Sequence, residues 1–234
     1  MTSPAVSILP LGRCAWMLVL GDKVSRPLHH RVTELASRIS AARLPGLVEI
    51  VPAYATVTVF FEGNAGEMRA RLDAICHHEQ SELISPEGCG HPERSEGTES
   101  RLHTIPVRYD GPDLQSVANQ TGLPVAEVIR QHSEPEYLVY LLGFVPGFAY
   151  LGDLHPSLVL PRRSSPRTRV PAGSVAIANL QTTVYPFETP GGWSVIGRTP
   201  LVLFDPARDP PSVFAPGDRV RFVAISRTEY ARLQ

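Results

Sequence analysis

The sequence predicts an α+β protein in two parts: a small ββαββα unit over residues 1–80, then a β-rich unit over residues 102–234. Three observations carry this reading. In the first 80 residues the apolar pattern passes twice from the period of strands to that of a helix. Residues 77–101 lose apolar periodicity and are rich in Glu, Ser, Gly and Pro, which places a flexible joint at 81–101. Beyond residue 136, short β-branched and aromatic runs alternate with connections full of proline and glycine. Proline fixes φ and gives up a donor, while glycine permits positive φ, so these connections are shaped, rigid loops.

In the first part, residues 7–9 and 15–20 read as strands about a turn at Leu11 and Gly12. From 29 to 43, Val32, Leu35, Ala36 and Ile39 form the stripe of an amphipathic helix, stopped by Pro45 and Gly46. Residues 48–51 and 56–61 are strand-like runs split by Pro52 and Ala53. Asn64 is placed to cap a second helix with Met68, Leu72 and Ile75 on one face. The helices are expected to cover one side of an antiparallel sheet. His29 and His30 have no third metal ligand nearby and read as solvated helix face. His77, His78, Cys89 and His91 fall in the joint, where a linker would not hold ligands rigidly.

In the second part, residues 104–109 read as a strand. Leu114, Val117 and Ala118 mark a short helix ended at Gly122, and Val125, Val128 and Ile129 mark another, starting near Pro124 and ending around His132. The pair has the outline of a helix-turn-helix, but Arg130 is the only basic residue of its second helix, which argues against reading DNA. Further strands are expected at 137–142, 174–178, 182–185, 193–196, 201–204 and 219–225. Together they make about eight, and closing them removes exposed edges.

Composition narrows the function. The chain has 234 residues, is 43% hydrophobic and 19% charged, and carries a net charge of −1, as an ordinary globular protein does. Nothing in that balance attracts nucleic acid or an acidic membrane surface. Cys14, Cys76 and Cys89 are an odd number without CxxC spacing and read as reduced thiols, so neither a disulfide frame nor a metal site is expected. The N-terminus lacks a signal-peptide pattern, and the apolar stretch 137–151 is too short and interrupted to span a membrane, so a cytoplasmic protein is expected.

The common catalytic signatures are missing: no GxxxxGKS/T, HExxH, GxSxG, or GxGxxG before a helix. Lys23 is the one lysine, which excludes a Schiff-base or phosphate-loop lysine in the second part. Arginine carries the case instead. Between 143 and 200, Arg162, Arg163, Arg167, Arg169 and Arg198 face only Asp153 and Glu188. Arg167, Arg169 and Arg198 can each grip a carboxylate or phosphate through two parallel hydrogen bonds. Tyr185 and Trp193 offer flat walls, and the amides around Gly191 and Gly192 an anion nest. The pattern predicts a pocket for a small anion. The competing reading pairs these arginines with Asp153, Glu188 and Asp205 at the barrel rim. Arg162 and Arg163 read as surface charge.

Three segments, GFVPGFAYL (143–151), PRRSSPRTRVPAGSVAI (161–177) and YPFETPGGWSVIGRTP (185–200), resemble the allophanate-hydrolase-subunit-1-like family. That family includes the B-type subunit of bacterial ATP-dependent 5-oxoprolinase, the Kip-type inhibitor of a sporulation histidine kinase, and part of the carboxyltransferase region of urea carboxylase. The resemblance runs from about residue 9 to 225, weak in the first third and broken over 77–102. It implies that the second part is a cyclophilin-like β-barrel. It also implies half of a shared active site, in which A-type and C-type partner subunits help open 5-oxo-L-proline to L-glutamate with ATP and its accompanying Mg2+. Arg198 and His132 are then the catalytic candidates, His132 matching a histidine of the family pattern. Arg167, Arg169, Tyr185, Gly191, Gly192 and Trp193 are the substrate-binding candidates. From position alone, His132 reads as a histidine favoured by a helix C-terminus. Two other functions stay open: a histidine-kinase inhibitor binding through an apolar patch at GFVPGFAYL, and a carboxyltransferase-like subunit, which needs a biotin-carrier partner.

Overall fold

The computed structural model describes residues 6–22, 25–82 and 100–234. The chain divides into two compact units, residues 1–99 and 100–234. The first unit runs β1 (Ser7–Pro10), β2 (Ala15–Val19), α1 (Arg26–Ala41), β3 (Leu47–Pro52), β4 (Thr56–Phe61) and α2 (Ala65–Glu82). Its sheet has the order β1-β2-β4-β3 with every pair antiparallel. Period-two alternation in β4 buries Val57, Val59 and Phe61, and the helices add Val32, Leu35 and Ile39 from α1 and Met68, Leu72 and Cys76 from α2. Asn64 caps α2, its side-chain oxygen accepting from the amides of Gly66 (2.9 Å) and Glu67 (3.2 Å). His29 departs from the solvated face expected of it. Because α1 begins at Arg26, His29 lies one turn before Val32 on the apolar face and is buried. Burial, with His30 beside it, lowers its pKa to about 4, so the ring is neutral.

At the expected joint, α2 continues to Glu82. Ser100 and Arg101 already bond to the second unit, through the Gly217 carbonyl (2.9 Å) and the Asp218 carboxylate (3.1 Å). Cys89 and His91 lie outside the described residues, as does the side chain of His78.

The second unit runs β5 (Leu102–Val107), α3 (Leu114–Thr121), α4 (Val125–Ser133), β6 (Glu136–Leu142), β7 (Ala149–Gly152), β8 (Arg167–Val170), β9 (Ser174–Ala178), β10 (Gln181–Val184), β11 (Thr189–Gly191), β12 (Ser194–Arg198), β13 (Arg219–Ala224) and α5 (Arg227–Arg232). Seven strands form one sheet, β12-β9-β10-β7-β6-β13-β5, and β8 with β11 forms a separate ribbon. The sheet closes on itself. Arg108, just past β5, exchanges two backbone hydrogen bonds of 2.9 Å with Arg198 of β12. Residues beyond it continue the seam: Gly111 N–H reaches the Ile196 carbonyl (3.1 Å) and Asp113 N–H the Val195 carbonyl (3.0 Å). A side chain at Gly111 would put its Cβ 2.4 Å from the Ile196 backbone, so only glycine allows the seam to approach this closely. The expected barrel is therefore present. Ile105, Val139, Leu151, Val175, Ile177, Ile196 and Phe222 fill it, with Val117 and Val128 of α3 and α4 packed against them.

Residues 201–204 are not the strand expected of them. They make one isolated bridge, Phe204 to Ser212, and contribute Leu203 to the core. The β12 edge that such a strand would need is occupied by the 108–113 seam.

Candidate functional site

The residues singled out from the sequence separate into two clefts of the second unit and its barrel core. The first, an arginine cleft of about 260 Å3, is lined by Arg108, Asp110, Arg167, Arg169, Ser174 and Arg198 among others. Arg198 is the last residue of β12, so the rigid barrel positions it and its side chain projects into solvent. Its Nε donates to the Ala172 carbonyl at 2.9 Å, and among the described residues no carboxylate pairs with it. The neighbouring cations are committed. Arg108 pairs with Asp110 at 2.6 Å and lies over the Tyr230 ring. Arg169, on the exposed ribbon, pairs with Glu188 at 2.6 Å, the rim partner foreseen for it.

Arg167 has a partner that the sequence did not suggest. Its two terminal nitrogens donate to the two oxygens of Asp113, each at 2.7 Å, in a bidentate fork. Arg163 adds a bond of 2.8 Å and the Val195 amide one of 2.7 Å to the same carboxylate. Asp113 is 4% exposed. Burial pushes its pKa up, but the Arg167 and Val195 hydrogen bonds and the two guanidinium charges outweigh this and hold it below the ordinary carboxylate value. Arg163, expected as surface charge, is thus a tied and partly buried residue.

The second cleft, of about 280 Å3, is aromatic. Tyr185, Gly191, Gly192 and Trp193 line it together with Phe148 and Tyr150. The rings meet edge to face, Phe148 against Tyr185 at 5.3 Å and against Trp193 at 5.9 Å. Burial pushes the Tyr185 hydroxyl pKa up to about 12, so it stays protonated. A Cβ on Gly191 would sit 2.3 Å from that hydroxyl, which explains the glycine by packing. The expected anion nest at Gly191 and Gly192 is absent: neither has positive φ, and Gly191 is paired with Arg167 across the ribbon. Arg162 stands over Trp193 at 5.9 Å. Within GFVPGFAYL, Phe148, Ala149 and Leu151 are core, while Phe144 is 62% exposed at the cleft's lip with φ of +71°.

His132 reaches neither cleft. It is fully buried, between the Tyr109 hydroxyl (2.7 Å from Nδ1) and the Thr182 hydroxyl (2.8 Å from Nε2), with the Phe222 ring 4.6 Å away. Thr182 spends its proton on the Ala176 carbonyl, so it accepts from Nε2–H, and Tyr109 donates to Nδ1. Burial lowers its pKa to about 3. Both expectations for it give way, because full burial keeps the ring out of both clefts and leaves it neutral, with no charge for a helix dipole to favour. Asp113 and Arg108 were missed from the sequence. The one available signal was an Asp opening an apolar helix at DGPDL, which reads as a turn.

The candidate residues thus gather into an arginine-lined cleft and an aromatic cleft on a closed barrel. The chain belongs to the family described as carboxyltransferase domain, subdomain C and D, whose model matches residues 6–214. The B-type subunit of 5-oxoprolinase from Bacillus subtilis (strain 168) is 39% identical over 232 residues, 94% of this chain and 93% of that protein. Its counterpart from Escherichia coli O157:H7, also named as the B-type subunit of 5-oxoprolinase, is 44% identical over 220 residues, 91% and 93% of the two chains. Among solved structures, TTHA0988 matches with a TM-score of 0.75 at 37% identity over 91% of this chain, which spans 40% of that longer protein.

Proposed function

We propose that this chain is the B-type subunit of an ATP-dependent 5-oxoprolinase, acting with A-type and C-type partners to convert 5-oxo-L-proline, ATP and water to L-glutamate, ADP and phosphate. The observation that carries the reading is its near-full-length likeness to two proteins named as B-type subunits of 5-oxoprolinase. The geometry adds a place for an anion: Arg198, an arginine without a carboxylate partner among the described residues, in a cleft whose other arginines are neutralised.

A lactam carbonyl is a poor electrophile. ATP supplies the activation by phosphorylating the carbonyl oxygen, with Mg2+ accompanying the nucleotide. This chain's part is to steady negative charge on the substrate carboxylate, the phosphoryl group or the developing oxyanion through Arg198. Tyr185 and Trp193 wall the neighbouring cleft. Among the described residues Asp110 is the only carboxylate lining the arginine cleft, and it is paired with Arg108. We therefore assign ATP and its metal to a site shared with a partner subunit. No described helix is long and apolar enough to cross a membrane, and we place the complex in the cytoplasm.

Reconstitution tests this. The purified chain should show negligible ATP-dependent release of glutamate from 5-oxoproline and become active when A-type and C-type subunits are added. Full turnover by the chain alone would refute the shared site. An inert complete mixture, with a histidine kinase as the sole captured partner, would favour the inhibitor function instead.

A further inference from the structure

The Asp113 cluster is built in an unusual way. Asp113 occupies the N-cap position of α3, where an aspartate side chain ordinarily bonds the first helical amides, yet it makes no such cap bond. Its carboxylate is turned toward the loop that precedes β8. A carboxylate accepts about four hydrogen bonds, and here every place is filled, by two from Arg167 and one each from Arg163 and the Val195 amide. The two arginines belong to different clefts, Arg167 lining the arginine cleft and Arg163 the aromatic one. One oxygen, Oδ1, accepts from both. Arg163 also fixes the loop through its backbone, N–H to the Gly192 carbonyl at 2.8 Å.

We propose that Asp113 is the positioning and specificity-determining residue of the anion site. It withdraws Arg167 from anion binding and makes it a fixed wall, so that Arg198 alone grips the ligand. Through Arg163 it ties that wall to the aromatic cleft. The inference rests on reading the arginine cleft as an anion site. A cleft with several competing cations would hold any phosphate tightly and release product slowly. Neutralising Arg167 restricts the grip to one planar fork.

The test is calorimetric titration of inorganic phosphate into the full chain, with 5-oxoproline turnover of the reconstituted complex measured alongside. Asp113→Asn keeps the shape and removes the charge. It should bind phosphate about ten-fold more tightly, since one more uncompensated cation faces the cleft, while kcat of the complex falls at least about ten-fold. Arg198→Gln should weaken phosphate binding at least about ten-fold, whereas the charge-balanced Asp113→Asn/Arg167→Gln double variant, which removes the ion pair and leaves the net charge of the cleft unchanged, should weaken it by no more than about three-fold. A purely structural Asp113 predicts the reverse for Asp113→Asn: weaker phosphate binding in step with a lower Tm. That result overturns the proposal. If Asp113→Asn fails to fold, the Asp113→Asn/Arg167→Gln double variant decides, because a loss equal to that of Arg198→Gln at unchanged net charge would show Arg167 to be part of the grip. Absence of phosphate binding by the unaltered chain would instead refute the anion reading beneath it.

Discussion

Acidification should destabilise the second unit through His132, by an amount that follows from its surroundings. A second proton has no place on this ring. Nε2–H already donates to Thr182, and Nδ1 accepts from Tyr109, whose own pKa burial holds high. The folded pKa of about 3 lies below the ordinary value of 6.5. The unfolded chain therefore binds the extra proton first. Stability from this group is complete above about pH 6.5 and is lost as the pH falls toward 3, by about 1.4 kcal/mol per unit. Between pH 7 and pH 5 the loss is about 2 kcal/mol. Urea unfolding followed by circular dichroism at pH 7, 6 and 5 measures it, with His132→Gln as the comparison. The variant starts less stable, because it disturbs a buried network, but its pH dependence should be shallower by that amount. His29 contributes equally to both curves and cancels. Parallel curves for the two proteins would show that His132 does not titrate as the structure requires.

Three further substitutions probe the aromatic cleft. Gly191→Ala drives a methyl to 2.3 Å from the Tyr185 hydroxyl and should cost roughly 1–3 kcal/mol; Gly192→Ala, whose Cβ meets nothing closer than 3.6 Å, should cost well under half of that, and equal Tm shifts would contradict the packing argument. Phe144→Gly relieves a left-handed conformation in a residue 62% exposed and should stabilise the chain by about 1 kcal/mol in thermal unfolding, whereas a fall in Tm would mean that the ring's contact with Phe148 outweighs the backbone cost.

The sequence made the fold legible where side-chain pattern and backbone geometry agree. Thr56–Phe61 is a β-branched and aromatic run that alternates inward and outward, and its bounds follow from that pattern. Those of Ala149–Gly152, Arg167–Val170 and Thr189–Gly191 do not, because these segments are only three or four residues long, mix strand-favouring Tyr, Thr and Val with Ala, Gly, Pro and Arg, and are extended by their partners in the barrel and ribbon. Leu201–Phe204 erred in the other direction, having the right residues but no free edge to join.

The site shows the same division. The place of Arg198 at a strand end could be anticipated, because a glycine before it and a proline soon after mark where a strand stops. The fate of Arg167 could not, since its partner Asp113 stands 54 residues earlier in a segment that reads as a turn. The burial of His132 depends on Tyr109, Tyr137, Thr182 and Phe222, which meet only when the barrel closes.

The central claim, that Arg198 holds an anion in the shared site, is tested most directly by steady-state 5-oxoproline hydrolysis with Arg198→Lys in the reconstituted complex. Lysine keeps the charge and loses the planar fork. The lost hydrogen bonds to a charged ligand should cost roughly 1.5–3 kcal/mol, or about ten- to a hundred-fold in kcat/KM. The Arg198 side chain is exposed and, among the described residues, hydrogen-bonds to the Ala172 carbonyl alone, while its backbone bonds to Arg108 survive substitution, so stability should fall by less than about 1 kcal/mol. A variant with a lowered Tm and undiminished kcat/KM would contradict the account, placing Arg198 among the structural arginines of the barrel rim.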